Sequence, residues 1–227
     1  MLGVTAAPTT LTGWSVVIPV KRLALAKSRL RTAVPAEVHA ALVVAMAADT
    51  VAAAIATPGV RLVVVVTNEP RAAAALRRLG AVVVADQPGA GLNQALAFGA
   101  GRALAVQPGC GVAAISADLP ALRPAELAAA LAAAAAYPRA LVPDVAGDGT
   151  TLLTAAEGTA LRPRYGERSR DRHLATGAVD LLTGPFAGDS AALATLRRDV
   201  DTPADLIAAR ALGLGRHAAA VLGALAS

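Results

Sequence analysis

Lysine is almost absent from this 227-residue chain: of its 21 basic side chains, two are lysines and the rest are arginines. Aromatic residues are nearly as scarce, at 2 % of the sequence: Trp14, Phe98, Tyr137, Tyr165 and Phe186. Single-stranded nucleic acid is held by stacking bases on such rings. No basic run interleaved with aromatics exists here, so nucleic acid is set aside as a partner. The single cysteine, Cys110, excludes an internal disulfide and fits a cytoplasmic protein. It stands in Pro108-Gly-Cys-Gly111 with no nearby His or Cys, and it is given no catalytic role. No apolar run reads as a bilayer span, and Ala128–Ala136 is too short and too Ala-rich. The N-terminus lacks a charged region before an apolar stretch, so no signal peptide is expected. His39 and His217 lie in Ala-rich helical stretches and receive no role. His173 reads as a structural histidine near a helix start.

What remains is an Ala-, Arg- and Gly-rich chain with a formal charge of +5, suited to an anionic ligand. Short Val/Ile/Leu runs alternate with Ala-rich helical stretches. Strands are expected at 14–20, 61–67, 81–85, 112–116, 140–143 and 150–154, with a further one at 193–196. Helices are expected at 36–57, 70–79, 92–106 and 124–136. Thr202 and Pro203 read as the cap and first residue of the last main helix. This alternation implies an α/β domain with a mostly parallel sheet flanked by helices. Such sheets bind ligands at the carboxyl ends of their strands. One domain is read over 14–215, with terminal extensions at 1–13 and 216–227.

Four segments could carry chemistry. Both lysines, Lys21 and Lys27, fall in the loop after the first strand, beside Arg22, Ser28 and Arg29. A compact ammonium kept where arginine is used elsewhere marks a phosphate-binding candidate. Pro19 fixes the exit from the strand. The loop has neither the spacing of a P-loop nor that of a dinucleotide fingerprint. Asp118, in Ser116-Ala-Asp-Leu-Pro120, places a carboxylate just past an apolar strand. A lone aspartate there is often a turn former. Asp199 and Asp201 alternate across Val200, so they share one side of an extended segment. With Asp118 they could hold Mg²⁺, which takes one or two carboxylates plus substrate phosphates. Asp201 alone could equally serve the following helix. Finally, residues 162–172 hold five arginines against two acids, a pattern suited to phosphate and carboxylate or to a solvated surface.

Taken together, Ile18-Pro-Val-Lys-Arg-Leu, Ala26-Lys-Ser-Arg-Leu30, Gly91-Leu-Asn-Gln-Ala-Leu96, Ser116-Ala-Asp-Leu-Pro120, Pro143-Asp, Gly149-Thr-Thr151, Tyr165-Gly-Glu-Arg-Ser169, His173-Leu and Asp199-Val-Asp-Thr-Pro203 resemble one family. It is the 2-phospho-L-lactate / phosphoenolpyruvate guanylyltransferase family of coenzyme F(420) biosynthesis. The resemblance runs from residue 15 to about 213. It implies a single-domain, Rossmann-like nucleotidyltransferase fold of the glycosyltransferase-A type. Pro19, Lys21, Lys27, Gly91 and Asn93 would then serve the nucleotide, with Gly91 and Asn93 at its base or ribose. Lys21 and Lys27 would offset charge on pyrophosphate. Asp118, Asp199 and Asp201 would be the metal carboxylates. Thr151, Gly166 and Ser169 would contact the acceptor acid, with Arg29 and Arg168 as added cations.

On this reading GMP passes from GTP to the acid, and pyrophosphate leaves. Composition of actinobacterial character favours phosphoenolpyruvate over 2-phospho-L-lactate as the acceptor. No membrane partner is expected, and a homodimer is compatible. Two alternatives accompany it. One is a related transferase acting on a molybdenum cofactor or a sugar phosphate. The other is a non-catalytic nucleotide-binding domain.

Overall fold

The computed structural model describes residues 13–21, 30, 35–87 and 89–224. Lys27 and Arg29 lie outside the described residues, as do Arg22 and Ser28.

The strands are the Val/Ile/Leu runs. They are β1 (Trp14–Pro19), β2 (Val60–Val66), β3 (Val82–Val84), β4 (Gly111–Ile115), β5 (Arg139–Pro143), β6 (Thr150–Ala155) and β7 (Val179–Asp180). They form one sheet in the order β3-β2-β1-β4-β6-β5-β7. β1 pairs in parallel with β2 and β4, and β2 with β3. β6 alone runs against its neighbours β4 and β5. The amino end of β6 therefore reaches the same edge as the carboxyl ends of the others.

Among the described residues there are seven α-helices: α1 (Ala36–Ala56), α2 (Pro70–Arg78), α3 (Leu92–Val106), α4 (Pro124–Ala134), α5 (Ser169–Leu174), α6 (Pro203–Leu212) and α7 (Arg216–Gly223), of which α6 and α7 pack with α1. Strand side chains alternate between the two faces, as the pleat requires. Val16 and Ile18 join Val51, Leu76 and Leu127 on one side, while Val17 joins Leu96 and Ala100 on the other. Alanine lets helices approach closely, and Gly99 takes this furthest. A β-carbon there would lie 2.5 Å from Val17 Cγ1 and 2.7 Å from Val66 Cγ2. Helix α3 can thus sit directly on β1 and β2.

Helix α1 is stopped by Thr57-Pro-Gly59, with Gly59 at φ +86°. By length and composition it could cross a membrane, contrary to the expectation that no run qualifies. Its apolar residues have another use, since 67 % of the qualifying window is buried against the rest of the molecule.

Three other expectations change. Residues 190–193 form a 3-10 turn rather than the start of a strand over 193–196. Leu193 and Leu196 are both fully buried, three positions apart, as one helical turn allows. The arginine-rich segment 162–172, where no element is expected, contains the start of α5, and β7 follows it. Residues 216–223, read as part of a tail, form α7. Asp49 in α1 accepts the N–H groups of His217 at 2.9 Å and Ala218 at 2.8 Å. Burial raises the Asp49 pKa, while these same hydrogen bonds oppose the shift. Ala218 is fully buried in a small core of α1, α6 and α7.

Candidate active site

A cavity of about 200 Å³ opens at the carboxyl ends of β1 and β4. Pro19, Val20 and Lys21 line it from the end of β1, and Ile115 to Asp118 from the end of β4. Met46 and Ala47 of α1 and Leu92 and Leu96 of α3 form its apolar walls. Tyr165 and Asp201 complete it. Among the described residues, Lys21, Asp118 and Asp201 share the recess with Ser116 and Tyr165, and the rest of its lining is apolar. Four residues singled out by sequence, Pro19, Lys21, Asp118 and Asp201, thus meet in one place.

Asp118 owes its position to three distant segments. Thr50 Oγ1, buried in α1, accepts the N–H of Leu119 at 3.0 Å. The same hydroxyl lies 3.2 Å from the Ala117 carbonyl and 3.0 Å from the Met46 carbonyl, where its proton is directed. The Val200 N–H donates to the Asp118 carbonyl at 3.1 Å, and the Gly215 N–H to the Pro120 carbonyl at 2.7 Å. Sequence reasoning gave Thr50 no role. Its only signal is a β-branched hydroxyl inside a long apolar helix.

Asp201 stands where the chain enters α6. There Thr202 and Asp205 form a capping box. Asp205 Oδ2 accepts from the N–H of Asp201 at 3.2 Å, the N–H of Thr202 at 2.9 Å and the Thr202 hydroxyl at 2.8 Å. Burial acts to raise the Asp205 pKa, but these hydrogen bonds outweigh it and hold the group below its ordinary value. Asp199 is half-buried and is not part of the cavity lining. Among the described residues, no group of three or more His, Cys, Asp or Glu side chains is spaced to hold a metal. The two aspartates that do share the cavity are hard oxygen donors, a set that suits Mg²⁺ completed by phosphate oxygens.

Thr151, Gly166, Arg168 and Ser169, also expected from the sequence, are not part of the cavity lining. Thr151 is buried at the start of β6, with its hydroxyl donating to the Val142 carbonyl at 3.4 Å. Ser169 is buried at the start of α5, and its hydroxyl donates to Thr150 Oγ1 at 3.3 Å. Gly166 is exposed at φ +124°, a conformation that favours glycine. Arg168 is left-handed at φ +49°, and its exposed guanidinium pairs with Asp171 at 2.6 Å.

His173 organises this group. Its Nε2 accepts the N–H of Arg164 at 2.8 Å, so the ring proton resides on Nδ1 and faces Thr150 Oγ1 at 3.0 Å. Burial lowers its pKa to about 4, and the charges of Arg172 and Arg164 add to the shift. Nearby, Arg170 pairs with the buried carboxylate of Asp180 at 2.7 Å. That ion pair ties α5 to β7. Gly91 caps α3 at φ +94°. Asn93 is engaged by the main chain of Tyr165: its Oδ1 accepts at 2.7 Å and its Nδ2 donates at 3.0 Å. Tyr165 also escaped assignment by sequence. Its hydroxyl donates to the Ala114 carbonyl at 3.3 Å, and burial pushes its pKa upward.

A mostly parallel sheet with its recess at the carboxyl edge has the architecture of the nucleotidyltransferases. A nucleotidyl transferase from Methanothermobacter superposes with a TM-score of 0.52 at 16 % identity, covering 88 % of this chain and 96 % of that one. CMP:2-keto-3-deoxy-manno-octonic acid synthetase complexed with CTP superposes at 0.51 and 16 % identity, covering 88 % and 98 %. These likenesses are of fold. Sequence goes further, because residues 14–225 match the family described as "Guanylyl transferase CofC like". A phosphoenolpyruvate guanylyltransferase of Geodermatophilus obscurus is 57 % identical over 218 residues, which is 94 % of this chain and 95 % of that protein. One of Streptomyces coelicolor is 54 % identical over 208 residues, 92 % and 95 % respectively. The chain belongs to the CofC-like guanylyl transferase family.

Proposed function

We propose that the protein transfers GMP from GTP to phosphoenolpyruvate, giving enolpyruvyl-diphospho-guanosine and pyrophosphate, as a step toward coenzyme F(420). The observation that carries the reading is the shared cavity of Lys21, Asp118 and Asp201 at the carboxyl ends of β1 and β4. The names of the relatives support the same donor and acceptor.

The chemistry asks little of a general base. A phosphate monoester is largely dianionic at neutral pH, since its second pKa is about 6. One of its oxygens attacks the α-phosphorus of GTP; the bond to that oxygen forms, and the bond to the β-phosphate oxygen breaks. No proton has to be removed from the acceptor phosphate. Catalysis then rests on alignment and on neutralising charge. Lys21 meets the charge that grows on departing pyrophosphate, with Lys27 as its companion in the same loop. Asp118 and Asp201 would hold Mg²⁺; Asp199, expected from the sequence as a third carboxylate, lies outside the cavity lining and is left out of that set. When bound, the ion supplies positive charge to the phosphate oxygens. Thr151, Gly166 and Ser169 hold the acceptor acid, with Arg29 and Arg168 as supporting cations. Pro19, Gly91 and Asn93 belong to the nucleotide side of the sequence reading.

The test is pyrophosphate release by the purified protein with GTP and Mg²⁺, in three arms: with phosphoenolpyruvate, with 2-phospho-L-lactate, and with neither acid. Release that depends on phosphoenolpyruvate is expected. Release with 2-phospho-L-lactate alone would move the acceptor assignment. No release with either acid, from folded protein that binds GTP, would overturn the reading.

A further inference from the structure

Two side chains from different helices grip consecutive residues of the loop ahead of α5. Asn93, in the first turn of α3, uses its carboxamide as a strand would, taking the N–H of Tyr165 on Oδ1 and giving an Nδ2 proton to the Tyr165 carbonyl. His173, fully buried in α5, accepts the N–H of Arg164 on Nε2. The Tyr165 ring sits edge-on to the His173 ring, with centroids 4.9 Å apart. The phenol reaches across to the Ala114 carbonyl of β4. The main chain of 164–165 is thus held from both sides. Gly166 follows directly, and Ser169 lies one turn further on, sharing Thr150 Oγ1 with His173. Asn93 reaches this loop from a helix whose neighbouring residues, Leu92 and Leu96, line the cavity.

We infer that Asn93 and His173 are positioning residues for the acceptor acid, and that Asn93 serves the acceptor loop rather than the nucleotide base or ribose. The inference rests on the guanylyltransferase reading above. It follows from where the hydrogen-bonding groups of Asn93 are used: its carbonyl oxygen and an amide proton are both committed to Tyr165. Removing the clamp frees the loop, and Gly166 and Ser169 lose their register against Thr151. The Tyr165 ring, which lines the cavity, stays anchored through its hydroxyl to the Ala114 carbonyl, so binding of the three-carbon acid weakens more than binding of GTP.

Initial rates of pyrophosphate release, with each substrate varied in turn, test this. For Asn93→Ala the KM for phosphoenolpyruvate should rise about tenfold, the equivalent of roughly 1.4 kcal/mol and within the range of a lost hydrogen-bond pair. The KM for GTP should stay within about twofold, a bound tighter than that tenfold step. Asn93→Asp keeps an acceptor for the Tyr165 N–H but turns a carboxylate oxygen to the Tyr165 carbonyl, so it should raise the same constant at least as far as alanine does. It also stands in should the alanine variant not fold. His173→Gln, which keeps an acceptor toward Arg164, should lie between the parent and His173→Ala in the same constant. A rise in the GTP constant equal to or larger than that for the acid overturns the inference, as does no change in either. An inactive parent overturns the guanylyltransferase reading and this inference with it. An active parent with the wrong split overturns the inference alone.

Discussion

The main-chain N–H of Val200 donates to the carbonyl of Asp118 at 3.1 Å, so the segment that carries Asp201 is stitched to the turn that carries Asp118. Val200 itself is fully buried among α1, α6 and α7. This backbone contact and the buried Val200, together with the bonds from Thr50 and Gly215 to the same turn, bring two carboxylates far apart in sequence to one recess. The stitch explains how a site of this kind can form on a chain with few charged residues.

Asp118→Asn and Asp201→Asn remove one charge each and leave the shape of the recess unaltered. Turnover should fall by about a hundredfold or more, the scale of losing one electrostatic partner of a transition state. The melting temperature should move by no more than a few degrees, as for a surface-scale change. Near-normal turnover in the Asp118 variant would sink its assigned role.

Thr50→Val keeps the volume of the side chain and deletes its oxygen. The buried N–H of Leu119 loses its acceptor, which costs about 1–3 kcal/mol. Urea denaturation should register that loss, and kcat should fall with it because the Asp118 turn loosens. Thr50→Ser restores the acceptor and should recover most of both. A valine variant as stable and active as the parent would show that the turn is held without Thr50.

Stability should decline as the pH falls from about 6.5 toward 4, and His173 is the reason. Its folded pKa, about 4, lies below the unfolded value of 6.5. In that window the unfolded chain binds more protons than the folded one, so acid favours unfolding. The full effect, present above pH 6.5 and lost by about pH 4, is on the order of 3 kcal/mol. Urea midpoints measured across this range should slope upward with pH, and the slope should flatten in His173→Gln. A parent with no slope would refute the buried neutral imidazole.

Asp205→Ala removes the acceptor shared by Asp201, Thr202 and the Thr202 hydroxyl. The cap is worth about 1 kcal/mol to α6. Because the Asp201 main chain is held by the same oxygen, the variant should also need more Mg²⁺ for half-maximal turnover. A metal titration that superposes on that of the parent would limit Asp205 to capping.

Much of this was legible in the residues. The run Leu62-Val-Val-Val-Val66 can only be a buried strand in a mostly parallel sheet, and it lies beside β1 and β3. Thr202-Pro203 reads as the cap and first residue of its helix, and the structure has Thr202 at the cap and adds the Asp205 half of the box. Asp118 stands out because it ends an apolar strand. What escaped notice depends on partners distant in sequence. Asn93 meets Tyr165 across 72 positions, and Asp49 caps α7 across 168. Neither local spacing nor propensity encodes such a pairing. Leu193 and Leu196 misled for a related reason. They are buried as strand residues would be, but the main-chain N–H groups of Thr195 and Leu196 turn to the Glu126 carboxylate at 2.8 and 3.2 Å instead of to a neighbouring strand.

The sheet order carries a consequence for how the protein comes into being. Its four adjoining strands β3, β2, β1 and β4 are all complete by Ile115, so a nascent chain can assemble half the sheet while synthesis continues. Asp201 and the α7 prop beneath the Asp118 turn leave the ribosome only after those four strands. A truncated product that stops before residue 199 would own the lysine wall and one carboxylate, and nothing to complete them. On the roles proposed for Asp118 and Asp201, a chain halted after β4 would hold half the sheet and no complete site.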